Sequence, residues 1–266
     1  LAQEMGVGET AFIAPSAEDG DGRSGLRVFT PSAEIPFGGH SVLGATFALD
    51  HMGRRLAGRQ PETFTWDLET GQYEVVTGTE NGRSIYSLCL DDPVFMGQYF
   101  HRGKVARTLG LPEDDIAITG LPCEVISTGL PFHIVPLASL ESMRRIILRH
   151  RDAEAIARDL GFGDLFVFTC ETVQDDATVH CRMFAPHFGI PEDAASGAAT
   201  GALVAYLVKH RLIKYSSRVR IISEQGLEMG RPSRLIAEAG ISGGQATDIK
   251  VGGQCVLVGS GSINIP

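Results

Sequence analysis

The hydrophobic pattern of the chain has two textures. Short stretches alternate apolar and polar residues, the period of a half-buried strand. They fall at 63–66, 72–77 and 84–90, with a turn at Glu69-Thr70-Gly71 between the first two. Further strands are predicted at 10–14, 26–31, 164–172, 178–185, 218–223, 234–239 and 254–259, and 125–136 reads as strand, turn, strand. Turns are expected at Gly20-Asp21-Gly22 and in the Gly-rich stretches between the last strands. The second texture has helical spacing. Residues 104–109 end at Gly110, 140–150 and 153–160 follow, and Arg144, Arg145, Arg149 and Arg151 form a solvated face. The first five residues read as the last turns of a helix ended by Gly6-Val7-Gly8, and Glu9 stands at the entry to the next strand. Two helices, 39–52 and 194–209, are apolar nearly all round, which predicts burial. Strands outnumber helices and no regular parallel crossover pattern is evident, so the fold class is α+β.

Both apolar helices belong to the same motif, written twice. Shifting the chain by 155 positions (182 − 27) superposes Arg27, Phe29, Pro31, Ile35 and Pro36 on Arg182, Phe184, Pro186, Ile190 and Pro191 without a gap. Each copy reads as a strand, a turn set by two prolines, then a helix rich in small residues. A proline cannot donate to a ladder, so the first of each pair ends its strand. The second holds its predecessor extended, so the helix starts after it. Gly38-Gly39 and the segment from Asp193 to Gly197 open the two helices. Small residues at a helix start let a ligand approach, and its free N–H groups suit a carboxylate. His40 and Asp193 sit at nearly matching positions. Alone, Asp193 reads equally as an N-cap and His40 as a polar helix-start residue. Twice over, an imidazole and a carboxylate at paired helix starts suggest proton transfer between two like domains.

Composition narrows the classes. The chain has 266 residues, 43% hydrophobic and 21% charged, with a net charge of −9. That is a globular chain of two ordinary domains, and the acidic balance argues against nucleic acid or an anionic membrane as partner. No apolar run is long enough to span a bilayer. Five cysteines without C-x-x-C spacing read as reduced thiols in a cytoplasmic protein. The eight histidines make no metal-binding pattern, and no phosphate- or dinucleotide-binding glycine motif is present, so neither metal nor cofactor is expected.

Five stretches, in order, resemble the PhzF-like family, named for the isomerase of phenazine biosynthesis. They are 4–12, 27–44, 127–132, 182–197 and 225–233, and the resemblance covers nearly the whole chain. It implies the diaminopimelate-epimerase fold: two similar domains, each a curved, mostly antiparallel sheet wrapped on a central helix, with the active site between them. It implies that Glu9 is the catalytic glutamate, taking a proton from one carbon and returning one to another. His40 and Asp193 would orient substrate and assist. Gly39, Ser41, Ser196, Gly197 and Ala198 would bind the substrate, with backbone N–H groups of Ser41, Gly197 or Ala198 at a helix start on its carboxylate. Where the epimerase relatives have two cysteines at the helix starts, this chain has Gly39-His40 and Asp193, so two-thiol racemisation is not expected. The family usually has serine where Ala198 stands, and its loss implies a different substrate or an altered geometry. Family members also begin with a β-hairpin before the Glu9 segment, so an upstream segment is expected.

The expected function is thus a cofactor-independent isomerase acting on a small unsaturated or amino carboxylate, as a homodimer. A two-base epimerase or racemase using Glu9 and Asp193, or a non-catalytic small-molecule binder, remain alternatives. The first domain is expected over 1–118, with 258–266 returning to it, and the second over 119–257.

Overall fold

The structure is a computed structural model that describes residues 1–14, 23–52, 63–186 and 190–264. The expected turn at Gly20-Asp21-Gly22 lies outside the described residues. Packing divides the chain into two compact units, Leu1–Leu88 with Gly252–Pro266, and Cys89–Val251. The sequence boundary near 119 therefore falls inside the second unit. The reason is packing: Leu90 and Phe95 join one core of that unit, and Tyr99, Val105, Ala106 and Leu109 join its other core.

In the first unit, α1 (Ala2–Met5) ends on Gly6 in the left-handed conformation, as its sequence predicts. β1 (Thr10–Ala14) pairs antiparallel with β2 (Arg23–Phe29), which also pairs with the short β3 (Glu34–Ile35). Helix α2 (Gly39–His51) then crosses to β4 (Thr63–Leu68), which lies parallel to β2. Antiparallel β5 (Gly71–Glu80) and β6 (Arg83–Cys89) complete the order β1-β2-β4-β5-β6. α2 buries Ser41, Val42, Ala45 and Thr46, while Leu43 and Phe47 stay partly exposed, so the burial expected on every face is only partial here.

The second unit repeats that plan and extends it. β10 (Leu165–Thr169) pairs antiparallel with β11 (Val179–Ala185), which takes β12 (Ile190–Asp193) as its short partner. Helix α7 (Gly197–Lys209) leads to β13 (Arg218–Gln225), parallel to β11, and then to β14 (Ser233–Ser242) and β15 (Gln245–Gly253). On the far side of β10 lie β9 (Pro131–Pro136), β8 (Glu124–Ser127) and β7 (Val94–Gln98). α7 is enclosed as its sequence demands, with ten consecutive buried residues from Ala199 to Val208. The opposite face of the sheet is covered by α3 (Arg102–Leu109), α4 (Asp114–Ala117), α5 (Leu140–Arg144) and α6 (His150–Leu160) around a second core. Pairing is mostly antiparallel, but β2 with β4, β9 with β10, and β11 with β13 are parallel.

One predicted strand is displaced. The last strand is 245–253, not 254–259. Gly243 and Gly244 (φ 58° and 80°) make the tight turn after β14, so pairing starts at Gln245. Asp248 has φ 47° and slips the alternation by one residue, placing Ala246, Ile249 and Val251 inside. The apolar 254–259 stretch stays largely open, with Val258 98% exposed.

The duplicated motif is held by a duplicated clamp. Arg27 Nε and Nη2 donate to the two carboxylate oxygens of Glu34 at 2.8 and 2.7 Å, and its guanidinium lies 5.1 Å from the Phe29 ring centre. Arg182 does the same to Glu192 at 2.8 and 2.8 Å, and lies 5.1 Å from the Phe184 ring centre. Each fork fixes the short hairpin strand that precedes a helix start. The environments differ: the Arg27 and Glu34 side chains are 64% and 36% exposed, those of Arg182 and Glu192 only 9% and 14%. Arg182 also donates to the Met143 carbonyl at 2.7 Å.

Arg182→Met, which leaves Glu192 buried and unpaired, should therefore cost roughly 3–5 kcal/mol, whereas Arg27→Met should barely move the melting temperature. Thermal melts of the two variants side by side check this, and equal losses would show that burial is not what separates the clamps. A second expectation concerns His133 on β9, which is 1% exposed with neither ring nitrogen bonded among the described residues. Burial pushes its pKa down to about 3. The unfolded chain takes up a proton near pH 6.5 that the folded chain refuses, so this residue lowers stability progressively as pH falls below about 6.5. His133→Phe keeps the edge contact with Tyr99 and should raise stability by about 1–2 kcal/mol, with the gain growing toward acid in denaturant titrations at pH 5 and 8.

Candidate functional site

Glu9 stands immediately before β1, whose first residue, Thr10, pairs with Phe29 of β2. The same β2 leads through the clamped hairpin into α2, so the helix start is delivered beside Glu9. Ser41 Oγ donates to Glu9 Oε2 at 2.6 Å, and His40 Nε2 lies 3.2 Å from the same oxygen. Among the described residues Oε1 has no partner. The Glu9 side chain is 15% exposed and the His40 ring 55%. Gly38, the N-cap of α2, makes room for the carboxylate: a Cβ there would lie 2.5 Å from Glu9 Oε2. Gly39 opens the first turn, whose free N–H groups and dipole suit a negatively charged partner. One carboxylate oxygen is held by a hydroxyl and an imidazole, and the other is open. That arrangement can take up and return a proton.

The second unit presents a parallel arrangement. Asp193 ends β12, and Ser196, the buried N-cap of α7, donates from Oγ to Asp193 Oδ2 at 2.5 Å. Asp193 Oδ1 faces the Ala195 N–H at 3.4 Å. Ser41 and Ser196 are themselves 155 positions apart (196 − 41). Each unit thus sets a helix-start serine against a carboxylate, although the two acids reach that place from different strands. Gly197 and Ala198 form the first turn of α7. Ala198 offers no hydroxyl, and it is Ser196 that brings one to Asp193. Thr200 plays no part, because its hydroxyl donates to the Ser196 carbonyl at 2.9 Å.

Two supports around Asp193 were not legible as such. Gln225, fully buried at the end of β13, bonds both Asp193 and Ser196. Its neighbour Glu224 accepts the N–H groups of Val173 and Gln174 at 2.6 and 3.0 Å and faces His180 Nδ1 at 2.8 Å. His180 Nε2 faces Glu228 at 2.9 Å. Burial alone would lower the His180 pKa, but the hydrogen bonds to Glu228 and Glu224 outweigh it and raise it. The pair Gln225-Gly226 stood in a recognised stretch, and its polar side chain at the end of an apolar strand was the available signal.

Other candidate chemistry is weak. Burial pushes the Cys123 and Cys181 thiols up to about 12, so neither is a ready thiolate. No cysteine stands at either helix start. Among the described residues no group of three His, Cys, Asp or Glu side chains could hold a metal ion, and no helix is long and apolar enough to cross a membrane. A groove of about 610 Å³ in the first unit runs along Phe12, Arg27, Phe29 and Glu34. The charged groups of that groove, Arg27 and Glu34, are spent on each other.

The family described as phenazine biosynthesis-like protein matches residues 1–261. The trans-2,3-dihydro-3-hydroxyanthranilate isomerase of Pseudomonas aeruginosa is 33% identical over 258 residues, covering 95% of this chain and 83% of that protein. An uncharacterized isomerase of Bacillus subtilis is 32% identical over 245 residues, 92% of this chain and 80% of that one. Among solved structures, a PhzF-family phenazine biosynthesis protein of Bacillus anthracis superposes with a TM-score of 0.83 at 24% identity, over 95% of this chain and 83% of its own. A hydroxyproline epimerase from Agrobacterium vitis follows at a TM-score of 0.58 and 12% identity, over 92% and 71%. These two likenesses bear on the fold, which is the α+β architecture shared by PhzF proteins and the proline and diaminopimelate epimerases. With the sequence relatives they establish that this chain is an isomerase belonging to the phenazine biosynthesis-like, PhzF-type family.

Proposed function

We propose that the protein moves a proton between carbons of a small unsaturated or amino carboxylate, with Glu9 as the group that carries it. The observation that supports this is the Glu9 carboxylate at the start of α2, with Ser41 and His40 on one oxygen and the other open. Glu9 removes a proton from an acidic C–H, and the electron pair left on carbon is delocalised into the adjoining unsaturation. The carboxylic acid so formed returns the proton to a second carbon, which restores Glu9. His40 steadies the carboxylate and, when protonated, donates to the developing negative charge. Asp193 and Ser196 serve as the second polar pair, orienting the substrate. The free N–H groups of one helix start, at Gly39 and Ser41 or at Gly197 and Ala198, take its carboxylate. Two-base epimerisation through Glu9 and Asp193 is the second reading, favoured by the two serine-held carboxylates. Retention or inversion of the substrate's stereocentre separates the two.

Glu9→Gln should keep the melting temperature within a few degrees and abolish turnover, because an amide cannot accept the carbon-bound proton. The measurement is solvent deuterium incorporation into trans-2,3-dihydro-3-hydroxyanthranilate, the compound named for the Pseudomonas relative. Exchange by Glu9→Gln at a rate near wild type would remove Glu9 from its role, and no exchange by wild type with any tested carboxylate would favour a binding protein.

Ala198 points to a substrate with a less polar group beside the α7 start than that compound carries. Ala198→Ser should leave stability nearly unchanged and improve activity on the dihydroanthranilate. Wild-type kcat/KM on it already above ~10⁴ M⁻¹s⁻¹ would mean that the missing hydroxyl has no bearing on substrate choice.

A further inference from the structure

Gln225 is fully buried on β13, and among the described residues all its side-chain hydrogen bonds run to the segment that carries Asp193. Nε2 donates to the Asp193 carbonyl at 2.7 Å and to Ser196 Oγ at 2.9 Å, and Oε1 accepts from the Ser196 N–H at 3.2 Å. Two of these partners have a single role. A backbone carbonyl only accepts and a backbone N–H only donates, so the orientation of the amide is forced. It follows that Nε2, a donor, faces Ser196 Oγ. The hydroxyl must use a lone pair there, and its one proton is left for Asp193 Oδ2, 2.5 Å away. The bond pattern closes with no freedom to reverse.

We propose that Gln225 is the positioning residue of the second half of the site: it turns the Ser196 hydroxyl proton onto Asp193 and so keeps that carboxylate an acceptor. Gly226 makes the approach possible. It has φ 78°, and a Cβ on it would lie 2.9 Å from the Ala194 carbonyl oxygen. The strand end is also anchored on its other side, where Glu224 is held by His180 and by the N–H groups of Val173 and Gln174. Gln225 therefore reaches Asp193 from a fixed base. Asp193 Oδ1, with only the long contact to the Ala195 N–H, is the oxygen left to meet a substrate donor.

The test has two arms. The first needs no substrate. In nitrogen-15 spectra of the intact protein, the Gln225 side-chain amide is assigned by its loss in Gln225→Met. Both its protons should exchange slowly with solvent. Ser196→Ala should shift and unprotect one of them and leave the other, bonded to the Asp193 carbonyl, in place. A pair that exchanges as a free glutamine side chain does, or that ignores Ser196→Ala, overturns the proposal.

The second arm rests on the isomerase reading and uses trans-2,3-dihydro-3-hydroxyanthranilate as probe. Gln225→Met should lower kcat about 10- to 100-fold with KM changed much less. Combined with Ser196→Ala, it should lose no more than the worse single variant, since both act through one hydroxyl. If Gln225→Met folds poorly, Gln225→Glu replaces it, because a glutamate keeps the acceptor for the Ser196 N–H and loses both donations. A fall in melting temperature with kcat intact, or losses that multiply, would make Gln225 merely structural and overturn the proposal. A wild type inert on the probe counts against that compound as substrate, and a Glu9→Gln variant as active as wild type counts against the role of Glu9; neither touches the Gln225 proposal. The amide spectrum then decides the direction of the hydrogen bonds by itself.

Discussion

A carboxylate that leaves water needs donors, and a helix start has donors to spare. That complementarity governs this molecule. Glu9 and Asp193 each sit against the first turn of an apolar helix, and each is tied to it by a serine hydroxyl at 2.6 and 2.5 Å respectively. The rest of each unit serves to bring those partners together. β2 and β11 lie beside the strands that come before and after the helix, and the short hairpin strands β3 and β12 aim the chain into the turn. The arginine forks hold those hairpins. Without the fork, a two- or four-residue strand has little to fix its angle.

The two copies have diverged in how much of that arrangement they bury. Around α7 the sheet is wide and the clamp is almost dry, so its ion pair sits where loss of one member is costly. Around α2 the clamp is wet and the helix only partly covered. The same geometry is thus worth different amounts in the two halves. The tolerance of the first half to change at its clamp should exceed that of the second, although its glutamate carries the proposed chemistry.

Much of this was legible in the chain. The gap-free repeat of Arg27, Phe29, Pro31, Ile35 and Pro36 exposed both helix starts, and with them His40, Asp193 and the two serines. Local rules served where the cause was local: Gly6 and Gly110 end their helices in the left-handed conformation as expected. What failed depended on partners distant in sequence. The second clamp was hidden because Glu192 is three residues past the position matching Glu34 (34 + 155 = 189). β7 escaped notice because it is an edge strand with Val94 and Met96 largely exposed and a register shift near Gly97, so it shows no alternation. β15 was missed because Asp248 breaks its period, and the apolar run after it drew the assignment away. Gln225 showed only as a polar residue closing an apolar strand, since the role of a buried amide is read from what it touches.

Gly38 has a consequence of a different kind. A Cβ at that position would meet the end of the Glu9 side chain, an atom that can swing aside, rather than the backbone. A replacement there would thus be absorbed by the glutamate leaving Ser41 and His40, with the fold intact. Every missense change from a glycine codon by one base introduces a Cβ, so the gene has no one-step amino-acid change at this position that spares the carboxylate. Gly44, in the helix that Gly38 caps, meets nothing within 4 Å of its own missing Cβ and is under no such restriction. Inherited variation should therefore treat Gly38 and Gly44 very differently, and a survey that scores variants by stability alone would pass the one that matters.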